Sequence, residues 1–587
     1  MPPQTRREAR LIAQAQQTAT EPRTSRKPKR ARARTVWLVV LIALIVLLAV
    51  AVWVGLRALT VKNELESAQS LVAQIQSGDA DVKASIDALS GHAEAAASAA
   101  SDPVWGALEW IPVAGDNLRG VRLAAQALDA LVNDVAKPVL GAGDGEILPT
   151  LLAVAQAENG RISQLAAEIT AVQSSSALIG PVRSGVDQVA EVTSAAAPAI
   201  ALLPTLLGAD GPRNYLLVFQ NNAESLALGG SAAAQAMVHA EAGSISMGAQ
   251  GDSGSYRNGV GVDVEVPQSA EDLYTSYLVD HLNTSMSRPD FPTAAQIMRA
   301  WWQRDIAPDQ IDGVVSIDPL ALARILKATG PIDLPTGDTL TSENAVSLLL
   351  NEVYKRWDSY EQPDLVDGFF AVAATSIFDK VKSGSFNIKD MLWAINESAS
   401  RGSILVWSDD EKLTDAVAGT RASGILPTDN EKATTVGVYF NNSNGSKIDY
   451  YTQTTVAAAA TCAAGGATFT VRAGISLPIS QKEADALPRY VQSMVFGTTF
   501  RDWVYVYGPP GTTATGEVSV NGEKISVMHQ GIDDLGRPVV AFEAWFDPGE
   551  TVEMTATFAG DGEFGPLAVQ TNPMINQTTI EVDDACR

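Results

Sequence analysis

The sequence predicts an α/β core domain carried behind an N-terminal transmembrane helix and a helical stalk, with a C-terminal all-β sandwich. Three observations predict it. Residues 35–56 form an uncharged apolar run. Strands alternate with helices over residues 206–430. From residue 431 onward, short β-prone runs alternate with Gly, Asn, Asp and Pro turns.

The apolar run comes first. Its 22 residues span roughly 33 Å as a helix, enough to cross a hydrocarbon core of about 30 Å. Trp37 and Trp53 lie near its two ends, where indole rings favour the membrane interface. A cleaved signal peptide would have a shorter apolar region and a small-residue cleavage site; Gly55-Leu56-Arg57-Ala58 is a poor one. Residues 1–34 carry ten Lys/Arg and two Glu. That basic flank predicts a cytoplasmic tail, with residues 57–587 outside, and it would also be drawn to anionic lipid.

Charge then excludes partner classes. The chain carries a net −25, and removing the +8 of the tail leaves −33 on residues 35–587. Such an exterior repels nucleic acid and other polyanions. An anionic ligand would need a local Arg cluster or a bridging cation. Two cysteines, Cys462 and Cys586, and four unclustered histidines cannot build a zinc site. An even pair in an exported region fits one disulfide between Cys462 and Cys586.

Residues 57–205 read as an extracellular helical stalk. Val61, Leu65, Ala68, Val72 and Ile75 fall on one helical face, although two heptads are too few for a coiled coil. Breaks are expected at Gly78-Asp79, Ser101–Pro103 and Trp110–Asp116. Further helices are expected near 117–137, 148–173 and 180–200.

In the α/β region, Tyr215–Gln220 reads as a strand, Asn221–Glu224 as a polar loop leading to Gly229-Gly230, and 233–240 with 244–249 as a hairpin. Helices are expected near 269–282 and 292–304, and a strand at 311–317. Asp318-Pro319 opens a helix that Gly330 closes. A short strand at 331–335, a helix at 341–357 capped by Thr341, helices near 364–382 and 388–400 and a strand at 404–407 complete it. Such alternation implies a layered α/β domain. Beyond it, strands near 436–440, 450–456, 467–475, 503–507, 523–529, 539–546 and 551–559 suggest the sandwich.

Four segments resemble a known family: Asn214–Glu224 with Gly229-Gly230, Arg288–Pro292, Ile311–Pro319 and Ala328–Ile332. Trp105–Gly115 fits as well. Together they resemble domain-of-unknown-function family 4012, bacterial single-pass envelope proteins. That family is distantly similar to the LytR–CpsA–Psr phosphotransferases, which attach lipid-diphosphate-linked glycopolymers to peptidoglycan using a divalent cation with Arg and Asp residues. The resemblance implies a role in cell-wall glycopolymer or exopolysaccharide assembly. One departure stands out. Relatives commonly place an Arg shortly after the loop glutamate, where this chain has Leu226, and Arg is the natural bidentate partner of a phosphate.

Two functional readings follow. As an enzyme, the core would use Mg²⁺ held by Asp290 and Asp312, with Arg288 and Arg401 stabilising charge on a polyprenyl-diphosphate-linked glycan. As a non-catalytic module, it would bind glycan or membrane lipid in the same pathway. In either case Asn221, Asn222 and Glu224 are ligand-binding candidates, because open α/β sheets bind ligands beyond strand ends. A plain Asx turn is their structural alternative. Gly229 and Gly230 would let backbone approach a ligand, or only make a turn. Asp318 has an N-cap alternative, Asp290 a turn alternative, and Arg401 that of an ordinary surface residue. Gly251-Asp-Ser-Gly254 lacks the His and Asp of a protease triad, and no phosphate-binding loop or metalloprotease motif is present.

Overall fold

The computed structural model describes residues 29–77, 82–143, 145–463, 465–516, 518–524 and 528–586. Residues 1–28 of the expected basic tail and the break expected at Gly78-Asp79 lie outside the described residues. The chain divides into two compact units. One holds the described residues up to Asp129 together with Ile169–Val189; the other holds Ala130–Glu168 and the described residues from Ala190 onward.

In the first unit a single helix, α1 (Lys29–Ser77), carries the apolar run and continues past it without a break. Leu41, Leu44, Leu48, Val52, Leu56 and Leu59 are exposed, whereas Val61 and Ala68 are buried where α1 packs on α2 (Val82–Ala100). The change from exposed to buried marks where apolar periodicity replaces an all-round apolar surface. Trp105 is buried in the same cluster as Val61 and Ala100 and donates its indole N–H to the Leu118 carbonyl at 2.9 Å, on α3 (Ala114–Asp129). Gly115 is required there, since a Cβ would lie 2.0 Å from the Glu109 carbonyl oxygen. Helices α4 (Ile147–Gln173) and α5 (Gly180–Leu206) complete the helical region. By length and composition, two described helical segments could cross a membrane, Leu44–Val72 and Gly180–Leu206.

The second unit is built on three main sheets. The first comprises β1 (Arg213–Leu226), β2 (Gly229–Glu241), β3 (Ser244–Asp252), β4 (Gly313–Ile317) and β5 (Ile404–Ser408), in the order β3-β2-β1-β4-β5. Only β1 and β4 pair in parallel. The polar loop expected at Asn221–Glu224 is not a loop. Those residues lie inside β1, whose register slips between Asn221 and Ser225 while β2 supplies Ser231 and Gly230 opposite. Their polar side chains are met by partners distant in sequence, so a hydrophilic stretch stays in a buried strand at a bulge.

Around this sheet, α6 (Phe291–Asp305) and α7 (Pro319–Thr329) are N-capped by Asp290 and Asp318, and α8 (Pro363–Lys382) and α9 (Ile388–Ser400) follow. The helix expected near 269–282 is broken into Gln268–Tyr274, Tyr277–Asp280 and a 3₁₀ turn at Leu282–Thr284. The one expected at 341–357 runs from Ala345 to Arg356 and contains a π-helical turn at Leu348–Glu352.

The C-terminal sheets use β6 (Thr434–Asn442), β7 (Gln453–Ala463), β8 (Gly466–Ser476), β9 (Phe500–Tyr507), β10 (His529–Asp534), β11 (Arg537–Phe546), β12 (Thr551–Asp561), β13 (Leu567–Thr571) and β14 (Thr579–Asp584). One has the order β10-β11-β9-β6-β13; the other runs β12-β8-β7-β14, extended beyond β12 by short edge strands at Ser519–Val520 and Glu523–Lys524. Phe440, Val504 and Phe542 from the first meet Phe469 and Phe558 from the second in one apolar cluster. The single strand expected at 523–529 is instead two, with residues 525–527 outside the described residues. Strands β13 and β14 were not expected. They pair in parallel with β6 and β7, and Ile580 and Val582 on β14 are exposed, so β14 buries no apolar face. A Cys462–Cys586 disulfide, Cα–Cα 5.2 Å, fastens the end of β14 to β7. A further cluster joins Leu216 and Trp301 to Tyr505 and Val539, so α/β and β parts share one core.

Candidate functional site

Where β1 passes its bulge, the second unit contains a cavity of about 310 Å³. Its body is apolar: Leu322 from α7, Leu349 and Leu350 from the π-turn, and Phe370, Ala374 and Ile377 from α8 line it. Its origin is local. The π-turn turns successive leucines and Tyr354 to one side, a feature frequent at functional sites, and α8 presents alanines at 371, 373 and 374 where larger residues would fill the space. A wider groove of about 710 Å³ along Asp263–Pro267 is lined by charged and amide groups including Arg299 and Gln303. It is a surface depression and lacks an apolar body.

One end of the cavity is a buried polar knot. Glu224 accepts a hydrogen bond from the Ser231 hydroxyl and pairs with Lys447 at 2.5 Å. The Lys447 ammonium lies 5.5 Å and 5.2 Å from the ring centres of Tyr354 and Tyr490, within cation–π range. Burial disfavours its charge, but Glu224 and the two phenols outweigh burial and push its pKa up. Asn221 donates to the Tyr354 hydroxyl at 2.6 Å and accepts from the Ala223 amide at 3.1 Å. Burial drives the Tyr354 phenol upward, so it stays neutral. Asn222 is fully buried and donates to Asp318 at 3.1 Å and to the Pro573 carbonyl at 2.9 Å.

Asp318 also accepts from the Ala321 amide at 2.7 Å, which makes it the N-cap of α7. Burial raises its pKa to about 6. Behind the knot, Asp449 accepts from the Ser225 amide and the Asn442 side chain, both at 2.8 Å. Asp449 and Asp502 are both fully buried, and burial raises both carboxyls above the ordinary range.

The two glycines have a packing role in the sheet. A Cβ on Gly229 would lie 1.9 Å from the Gln220 side-chain oxygen, and one on Gly230 2.2 Å from the Asn221 carbonyl oxygen. They let β2 close on the bulge of β1. Leu226 is a buried core residue.

Of the residues expected to hold Mg²⁺ and neutralise phosphate, Arg288 and Asp290 pair with each other, while Asp312 and Arg401 have other partners. Arg288 is buried and donates to both oxygens of Asp534, at 3.0 and 2.9 Å, and to Asp290. Asp534 in turn accepts from Tyr507 at 3.0 Å and Ser269 at 2.7 Å. Asp290 is occupied as cap of α6, also accepting from the Thr293 hydroxyl at 2.6 Å. Asp312 precedes β4, accepts from the Asn214 amide at 2.8 Å and pairs with Arg213 at 3.3 Å. That is the amino end of β4, about 15 Å of strand from the cavity at Ile317 and Asp318. Arg401 ends α9 and pairs with Glu397 one turn back. Among the described residues no three His, Cys, Asp or Glu side chains are placed to hold a metal. These four residues do not fit a Mg²⁺ phosphotransfer centre.

Sequence reasoning therefore reached Asn221, Asn222 and Glu224 but missed Lys447, Tyr354 and Tyr490. These lie more than a hundred residues further along the chain and carry no local motif. The alanines of α8 inside an otherwise bulky apolar pattern were the available signal for a cavity. No curated protein and no solved structure matches the chain. Residues 210–354, from the start of the central sheet to Tyr354, match the model of a protein family of unknown function, DUF4012.

Proposed function

We propose that this is a membrane-anchored, single-pass envelope protein whose second unit binds the apolar chain of a lipid or lipid-linked glycan without transforming it. The observation that carries the reading is the cavity: an apolar body of about 310 Å³ bounded by buried polar groups. Ligand pockets of this kind start at about 300 Å³ and combine apolar walls with a few fixed polar groups. The exposed apolar surface of α1 supports an anchor, and the basic flank supports a cytoplasmic N-terminus. The family resemblance supports a place in cell-wall glycopolymer or exopolysaccharide assembly. The structural commitments of Arg288 and Asp290 to each other, Asp534 and the α6 cap, of Asp312 to Arg213 and of Arg401 to Glu397 favour a binding module over a phosphotransferase.

The test is photo-crosslinking with the full chain held in lipid nanodiscs. A saturated twelve-carbon probe with a terminal diazirine is expected to label peptides containing 349–354 and 366–377. Labelling confined to α1 would refute the binding reading.

A further inference from the structure

In the first unit α2 runs back along α1. His92 meets Glu64 at 2.5 Å, and Asp102, just past α2, accepts from the Trp53 indole at 3.2 Å and pairs with Arg57 at 3.4 Å. Trp53 lies at the outer end of the apolar run, so the turn after α2 sits at that level. Beyond it the chain continues in the same sense before α3 carries it back. Gln126 on α3 donates to the Ser101 hydroxyl at 3.0 Å, and Trp105 reaches the earlier Leu118 at 2.9 Å. The tip of this hairpin, residues 109–115, therefore points toward the apolar run.

The tip is apolar and held stiffly. Trp110 is 79% exposed and Val113 62%. Val113 stands at φ 69°, a left-handed conformation costly for a β-branched residue and kept only where the surroundings enforce it. Here they do. Arg122 grips both Glu109 oxygens at 2.5 and 2.9 Å, and the Gly115 amide donates to the Ile111 carbonyl at 2.7 Å. Asn117 donates to the Val113 carbonyl at 2.7 Å and to the Ala177 carbonyl at 2.9 Å, and accepts from the Ile179 amide at 2.9 Å. That one side chain clasps the turn between α4 and α5 to the hairpin tip, and Ile179 is 57% exposed.

We propose that Trp110, Val113 and Ile179 form a second membrane contact, set into the interface of the outer leaflet beside α1. The proposal rests on the membrane-anchored reading above. Single exposed apolar residues are ordinary, but these three come from two loops clasped together at the level where α1 still exposes Val52 and Leu56. An indole favours that interface, and aliphatic neighbours favour the acyl boundary beneath it. A second copy of the chain is the poorer occupant, since the net −33 on residues 35–587 opposes self-association. With two points of contact, the tilt and rotation of α1 are restricted.

The experiment uses full chain in phosphatidylcholine nanodiscs doped with 5-doxyl or 12-doxyl lipid. A nitrobenzoxadiazole label is placed in turn at Trp110→Cys, Val113→Cys and Ile179→Cys, with Leu48→Cys on the apolar run and Glu66→Cys on the exposed stalk as references. Expected is quenching of the three tip labels by 5-doxyl lipid severalfold above that at Glu66→Cys, and iodide quenching severalfold below it. Tip labels as open to iodide as Glu66→Cys, with Leu48→Cys quenched by 12-doxyl lipid, would overturn the second contact and leave the anchor standing. Tip labels shielded from both quenchers would put a protein chain on the patch and overturn it too. Failure of doxyl lipid to quench Leu48→Cys would instead remove the anchor reading itself.

Discussion

Glu224 on β1 and Lys447, separated by more than two hundred residues in the chain, form an ion pair at 2.5 Å that Tyr354 and Tyr490 cover. The ammonium side chain is almost wholly buried. Removing one partner strands the other charge, which costs about 3–5 kcal/mol at buried pairs. Lys447→Met should lower unfolding free energy by roughly that amount, and Lys447→Met with Glu224→Gln should recover most of the loss. Denaturant titration of the two single variants and the double variant measures it. Single variants within about 1 kcal/mol of wild type would mean that the pair is solvated.

Asp318 gives the protein a pH dependence of defined sign. Its folded pKa is raised by burial from 3.8 to about 6, so the folded state holds the proton more tightly than the unfolded chain. The stabilisation is full below pH 4 and is lost as pH rises through about 6. Asp449 and Asp502 act in the same direction. Asp318→Asn keeps a capping oxygen and removes the titration. It should flatten stability between pH 4 and 6 by roughly 1–3 kcal/mol relative to wild type. An unchanged slope would show that Asp318 titrates normally.

Gly230 faces the Asn221 carbonyl oxygen so closely that a Cβ would sit at 2.2 Å. Gly230→Ala must push the bulge of β1 open, with an expected loss of about 2–4 kcal/mol and, with it, misplacement of Asn221 and Glu224. Thermal unfolding reads the loss. A variant as stable as wild type would show that the bulge relaxes freely.

The disulfide closes a loop with a sequence separation of 124 residues. Cys586→Ser should cost about 2–5 kcal/mol and free β14 first, because that strand lies at the sheet edge. Hydrogen exchange at Thr579–Asp584 is expected to rise well before exchange in β8. Uniform acceleration across both strands would contradict that order.

What the sequence made legible was whatever local chemistry dictates. The apolar run, the α7 cap at Asp318-Pro319 and the alternation of strands and helices all follow from neighbours in the chain, and the Cys462–Cys586 pairing from there being two cysteines. The bulge at Asn221–Ser225 was not legible, because its polar groups are satisfied by Tyr354, Asp449 and Pro573, which only the fold brings near. Strands β13 and β14 are short and each pairs along one side at a sheet edge, so little burial marks them. Asp290 and Asp312 looked alike as candidate metal ligands, yet one caps a helix and the other ties strand beginnings together. Nothing in the spacing of two aspartates separates those roles.

The central claim is that the cavity beside α8 takes an apolar chain. Ala374 lines that cavity on α8, and a tryptophan there would occupy much of its 310 Å³. The decisive measurement is diazirine labelling of the 349–354 and 366–377 peptides in wild type and Ala374→Trp, each checked for an unchanged thermal transition, with Ala374→Leu as the milder replacement should the tryptophan unfold the protein. A loss of labelling of about tenfold or more, corresponding to ~1.4 kcal/mol of binding, with the fold intact, is the predicted result. Pocket labelling that persists undiminished in a folded, filled variant would contradict the account.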